Sequence, residues 1–413
     1  MDNIVQATTD YEDFLRKYIE LLDDDLTLKH IRMRENKFAF FRATYYRWAQ
    51  LFPSVLPNLM DAPRITAVGD LHVENFGTFR SPKGELEWGI NDFDEADILP
   101  YTNDIVRLAA SVLFAIGENK LAIRPEKACK AILKGYAKRI NKRTRKAFIL
   151  QKRKEHFLTK LVKNSFDDDE SFWRHILNAP YIDYRNLPLA ATDLLNMVIG
   201  SEDVFFHDDN NNDENFDKYD EALVLHRRIA GLGSLGHRRI VAVTKKNNNP
   251  QKRTKNTRKA INDAYMAQEL KELGPPASVW LMNTGGVGWD KNTLQLLQYS
   301  ASLTRDPSRH TKENWLIRRV APDCVKLELS MLPAKRDEEF LLEKMGAETA
   351  NTHITAAHDK NTEAMHAILN HVEARSSDWL IKASKTMIKK ITEDYQFLKE
   401  IKRKKIHSND TKN

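Results

Sequence analysis

The chain has 413 residues, 41% hydrophobic and 30% charged, with a mean hydropathy of −0.56. That is enough apolar material for a large core and two to three domains, with no run near the roughly 18 apolar residues of a membrane span. Two cysteines, Cys129 and Cys324, exclude a disulfide framework and a zinc site, and the acidic first residues lack a secretory apolar stretch, so a cytoplasmic setting is expected.

Tyr11, Phe14, Leu15, Tyr18 and Leu22 recur at three and four, which predicts an amphipathic helix over 10–25. A second helix is expected over 28–48, where Lys29, Arg32, Arg34, Arg42 and Arg47 are candidates for phosphate contact or ordinary ion pairing. Residues 53–64 read as a loop and 65–68 as a buried strand entering VGDLHVENFG. Asp70 and Asn75 there have the D-x-x-x-x-N spacing of a kinase catalytic loop. Strands over 75–80 and 85–90, joined by the turn Ser81-Pro82-Lys83-Gly84, would fold Asp92 back beside Asn75. The cluster Asp92, Asp94, Glu95 and Asp97 follows. Phosphoryl transfer needs a carboxylate to accept the attacking hydroxyl's proton. It also needs hard oxygen ligands for Mg²⁺, which takes one or two carboxylates plus substrate phosphates. The plainer reading is that Asp and Asn are turn formers.

Asp104 reads as the N-cap of a helix over 105–116, and a further helix is expected over 125–161. The polar segment 166–220 includes HDDNNNDEN (207–215), expected to be a mobile loop without the glycine of a calcium loop. Gly231, Gly233 and Gly236 form G-x-G-x-x-G. The β-branched run after the third glycine argues against a dinucleotide fold and for a glycine-rich hairpin between strands, where bare backbone approaches phosphate closely. Residues 247–257 read as an exposed loop, and AYMAQELKEL (264–273) offers Lys271 as a phosphate-pairing lysine. Two strand-like pieces flank Pro322 within 315–329, and long amphipathic helices over 335–357 and 362–405 complete the reading.

The net charge of +7 is concentrated in 138–154, 245–259 and the lysines near 399–405. Such patches raise nucleic acid as a secondary partner, offset by acidic runs at 23–25, 167–170 and 208–214.

GDLHVENFG, NDFDEAD, DIVRLAAS, GLGSLGHRR, QELKELGPPASVW and WLIRRVAPD, in this order, resemble a large and mostly bacterial family designated DUF2252, from about Ile31 to about Ile354. That family is similar to the protein-kinase-like fold, nearest to aminoglycoside phosphotransferases, whose loop also reads GD-x-H-x-x-N before a D-F-D-like acid. The resemblance implies Asp70 as proton acceptor, Asn75 and Asp92 as Mg²⁺ ligands with Asp94 as the rival acid, and Gly231, Gly233, Ser234 and Gly236 over the phosphates of ATP. Lys271 would contact those phosphates, Glu348 is a candidate partner for it, and Arg318 or Arg319 would add charge. His72 would order the loop by hydrogen bonds. The third position of the D-F-G-like motif is Asp94, which removes the usual flexible switch.

The glycine hairpin follows the catalytic loop instead of preceding it, so the expected fold is α+β, kinase-like and circularly permuted. Residues 1–220 would form the mostly helical catalytic-loop half, 221–332 a β-rich nucleotide-clamping lobe, and 333–413 helices completing the large lobe. The expected activity is ATP- and Mg²⁺-dependent phosphoryl transfer to a hydroxyl of a small molecule or protein, without a membrane partner. AMP transfer by a reversed nucleotide, or an inactive nucleotide- or polyanion-binding pseudokinase, are the alternatives.

Overall fold

The computed structural model describes residues 3–150, 169–183, 186–199, 223–245, 265–282, 291–326, 336–358 and 362–410. Helix α1 (Ile4–Leu15) is capped by Asn3, whose side-chain oxygen accepts from Val5 N and Gln6 N, and it buries Ile4, Ala7, Tyr11, Phe14 and Leu15. The chain leaves the helix at Arg16, so the helix expected over 10–25 begins earlier and stops sooner. Three aspartates open α2 (Asp23–Arg32), where they suit the positive end of the helix. The single helix expected over 28–48 is in fact the end of α2, then α3 (Lys37–Ala43) and α4 (Tyr45–Val55). Asn36 caps α3 through Ala39 N, and Thr44 leaves helical geometry at ψ 46° between α3 and α4.

Strand β1 (Arg64–Ala67) pairs antiparallel with β4 (Asp97–Pro100). Between them lies the predicted hairpin, β2 (Phe76–Arg80) against β3 (Leu86–Ile90), with Phe76 opposite Ile90 and a short β5 (Phe148–Ile149) on its outer edge. Helices α5 (Tyr101–Gly117) and α6 (Pro125–Lys142) follow β4. The helix α5 starts three residues before Asp104, which is therefore not its N-cap. Of the helix expected over 125–161, the part over 151–161 lies outside the described residues, as do the loops expected over 207–215 and 247–257.

After α7 (Asp169–Leu177) and α8 (Leu189–Ile199) comes an antiparallel five-stranded sheet. Its strands are β6 (Leu223–Arg227), β7 (Arg239–Lys245), β8 (Tyr265–Glu272), β9 (His310–Lys312) and β10 (Trp315–Val320), in the spatial order β6-β7-β8-β10-β9. One face packs Leu225, Ile240, Ala242, Leu270 and Ile317 on Ala191, Leu194 and Leu195 of α8. The other packs Val241, Val243, Ala267 and Val320 on Trp173 and Ile176 of α7, as strand alternation requires. Helices α9 (Ala277–Met282) and α10 (Lys291–Ser302) lie between β8 and β9. Past Pro322, Lys326 bridges to Gly77, and 327–329 of the second expected strand lie outside the described residues.

Helix α11 (Arg336–His358) matches its expected span, whereas the helix expected over 362–405 is two, α12 (Thr362–Glu373) and α13 (Trp379–Asp410). One apolar cluster joins Ile4 through Leu150 to Leu341 through Leu398, so the last third of the chain completes the core begun by the first. Where α6 crosses α11, a Cβ on Gly135 would lie 1.8 Å from Glu343 O, and one on Gly346 would lie 2.1 Å from Ile132 O. The architecture is α+β. Among the described residues no helix is long and apolar enough to cross a membrane.

Candidate functional site

Strand β1 delivers Val68, Gly69 and Asp70 to the junction between the helical core and the sheet. Asp104, fully buried on α5, accepts from Val68 N at 2.7 Å and Gly69 N at 3.0 Å. Its Oδ2 also meets His353 Nε2 at 3.0 Å, and His353 Nδ1 meets the Tyr136 hydroxyl at 2.8 Å. The loop is thus anchored to α5, α6 and α11 at once. Gly69 has φ +80°, and any Cβ there would fall 2.0 Å from Glu95 O, so only glycine fits.

Arg107, one turn beyond Asp104, is wholly buried under the Phe41 ring at 3.6 Å and donates to one oxygen of Asp70 from Nε at 2.9 Å and Nη2 at 2.7 Å. The second oxygen, Oδ2, faces the glycine turn: a Cβ on Gly233 would lie 3.7 Å from it. Burial raises the Asp70 carboxyl above its ordinary range, and Arg107 opposes that rise. Asn75 Nδ2 donates to the backbone oxygens of Asp70 at 3.2 Å and Asp92 at 3.1 Å, while its Oδ1 is buried with no hydrogen-bond partner.

Asp92 receives Lys271 Nζ at 3.4 Å and Lys326 Nζ at 3.7 Å, and Lys271 also pairs with Asp94. Burial would raise the Asp92 carboxyl, but Lys271 and Lys326 outweigh it and hold it well below the usual range. Burial pushes Lys271 down to about 8 against the pull of Asp92. Glu95 accepts from Tyr11 Oη at 3.3 Å and Ala277 N at 2.7 Å, and burial pushes it up to about 8.

The turn between β6 and β7 brings Gly231, Leu232, Gly233 and Ser234 to a cleft of about 830 Å³, including its solvent-open space, together with Asp70, Asn75, Asp92 and Asp94. Ser234 Oγ accepts from Arg239 Nη2 at 2.5 Å. Gly236, at φ +102°, turns the other way: its Cβ position is 2.6 Å from Leu26, and its carbonyl accepts from Leu22 N at 2.8 Å. Of the early basic residues, Lys29 and Arg42 line the cleft, whereas Arg47 pairs with Asp394 and Arg34 donates to His30 O.

Two expectations are corrected. Glu348 does not pair with Lys271; it accepts from Asn351 Nδ2 at 2.6 Å and lies 4.0 Å from Arg145, and the acids at Lys271 are Asp92 and Asp94. His72 does not order the loop through Nδ1, which has no partner; its carbonyl does, accepting from Asn75 N at 2.8 Å. Arg318 and Arg319 are bound by Glu269 and Asp323. Sequence reading missed the role of Arg107 and took Asp104 for a helix cap, although two charges in the mostly apolar YTNDIVRLAASVLF are a signal of buried pairing.

Among the described residues no three His, Cys, Asp or Glu side chains group to hold a metal ion by themselves. The donors are Asp92, Asp94 and the unpartnered Asn75 oxygen, a set that fits a hard cation completed by phosphate oxygens. No curated protein and no solved structure matches the chain. Residues 21–178, which carry Asp70, Asn75, Asp92, Asp94, Asp104 and Arg107, match the model of a bacterial family described as uncharacterized, DUF2252, in support of the family read from the motifs.

Proposed function

We propose that this protein is an ATP- and Mg²⁺-dependent phosphotransferase with a circularly permuted kinase-like fold, acting on a hydroxyl of a small molecule or protein. The observation that carries the reading is Asn75 Oδ1, a buried acceptor without a donor on a side chain whose amide nitrogen is tied to the backbone of Asp70 and Asp92. A buried carbonyl oxygen left unmatched costs about 1–3 kcal/mol, and a cation shared with Asp92 would offset that cost. The glycine turn between the first two strands of the sheet and the lysine on its third agree with a kinase phosphate clamp.

In this reading Asp70 takes the hydroxyl proton on the oxygen that Arg107 leaves open. Asn75, Asp92 and Asp94 would hold Mg²⁺, which when bound neutralises developing charge on the phosphate oxygens. Lys271, now tied to the two aspartates, would turn to the phosphates once those acids had another cation. Calorimetric titration of ATP tests the site: micromolar binding that needs Mg²⁺ is expected, with loss in Asp92→Ala and retention in Asp70→Asn. Turnover should fall about 10²–10⁴-fold in Asp70→Asn. Transfer of label from the γ-phosphate is expected; transfer from the α-phosphate would assign AMP transfer instead. No ATP binding by the folded wild type would end the nucleotide reading.

A further inference from the structure

A second cavity of about 1750 Å³ including solvent-open space adjoins the cleft and shares Arg42, Gly231, Leu232 and Lys326 with it. Its wall is built on Glu269, which is 0% exposed and stands two residues before Lys271, on the same face of β8. Glu269 Oε1 takes Arg239 Nη1 at 3.2 Å and Arg228 Nε at 3.3 Å, and Oε2 takes Arg318 Nε at 2.6 Å. Three guanidinium groups share one carboxylate, and burial does not neutralise it: the arginines hold Glu269 well below the usual carboxylate range. Two positive charges are therefore left over.

The surplus has unpartnered donors. Arg239, with its side chain 3% exposed, has Nε buried and unpartnered, and so has Arg228 at Nη1. From the opposite wall, Lys326 and Lys120 bring further positive charge, and Arg42 adds an unpartnered Nε. Two acids line this space: Glu74 is already paired with Arg42, and Glu35 stands exposed at the rim. A nucleobase needs flat apolar walls, whereas these walls present forked N–H donors that match phosphate oxygens in pairs.

We propose that this chamber binds a phosphate-rich polyanion on Arg228, Arg239 and Arg318, and does not receive a nucleobase. The ligand chemistry has two sources: the terminal phosphates of a nucleotide whose base lies elsewhere, or a phosphorylated acceptor. The site needs neither Mg²⁺ nor Asp70, so it stands or falls apart from the phosphotransferase reading.

The test is calorimetric titration of inorganic tripolyphosphate, without Mg²⁺ and at about 0.1 M salt, into the full chain. Wild type and Asp70→Asn should bind with affinities within about twofold of each other, weakening as salt rises. Arg228→Gln should weaken binding about tenfold, the loss of one charge-assisted pair. Arg32→Gln, at the exposed rim of the cavity, should give a smaller loss and serves if Arg228→Gln lacks a cooperative melt. In a second titration with Mg²⁺ in excess of all phosphate, ATP that no longer binds after saturation with tripolyphosphate assigns the chamber to the nucleotide's own phosphates; ATP that still binds assigns it to a phosphorylated acceptor. Absence of tripolyphosphate binding, binding equal in all variants, or displacement of tripolyphosphate by adenosine would overturn the proposal.

Discussion

Asp70 keeps one oxygen for the cleft because Arg107 occupies the other, and Arg107 can be buried because Phe41, Tyr45 and Trp48 surround its guanidinium. Glu348 shows the same physics without an adequate partner. Burial pushes it from 4.5 up to about 7, against Arg145 at 4.0 Å and the amide of Asn351. Between those values the folded chain holds a proton that the unfolded chain has released. Stability from this group is therefore complete below about pH 4.5 and lost as pH rises through about 7, of the order of 3 kcal/mol in all. Melting temperature measured from pH 5 to 8 should fall in wild type, and Glu348→Gln should flatten that slope.

At the level of elements, the crossing of α6 and α11 depends on two glycines that allow backbone to touch backbone. Gly346→Ala would place a methyl 2.1 Å from Ile132 O, forcing the helices apart at a cost of about 1–3 kcal/mol or more. Gly117, the last residue of α5, has nothing within 4 Å of its Cβ position. Gly117→Ala should be neutral or stabilising by up to about 1 kcal/mol, since alanine loses less entropy in a helix. Urea denaturation of the two variants should give shifts of opposite sign, or none for Gly117→Ala. The hairpin β2–β3 was legible in sequence because a proline–glycine turn separates alternating apolar residues. The breaks at Arg16, Thr44 and residues 374–378 were not, because apolar spacing of three and four continues through or near them, and tertiary packing chose where each helix stops.

Over the whole molecule, the start of α2 and the link before it tie the sheet to the helical core. Leu22 N donates to Gly236 O, Asp25 pairs with Arg227 at 2.6 Å, and Glu20 reaches Arg238 at 3.1 Å. Asp25 is buried, and its partner Arg227 is 32% exposed, so its loss removes one inter-element tie and leaves a partly solvated charge. Asp25→Ala should raise amide exchange in the glycine turn (228–238) about tenfold or more, equivalent to about 1.4 kcal/mol of local stability. Protection within α11 should stay unchanged; equal loosening there would mean that the pair supports the entire fold.

Sequence alone determined the local chemistry: the D-x-x-x-x-N loop, the acids after the hairpin, the glycine turn before a β-branched run, and the family likeness. Each is set by neighbours within a few residues, where spacing and turn preferences act directly. Only tertiary structure decided that Lys271 meets Asp92 and Asp94 instead of Glu348, that Asp104 holds the loop backbone instead of capping a helix, and that Gly236 leans on α2. It alone assembled Arg228, Arg239 and Arg318 on Glu269. Those partners come from strands and helices far apart in the chain, and the pairing of buried charges is settled by which elements pack together.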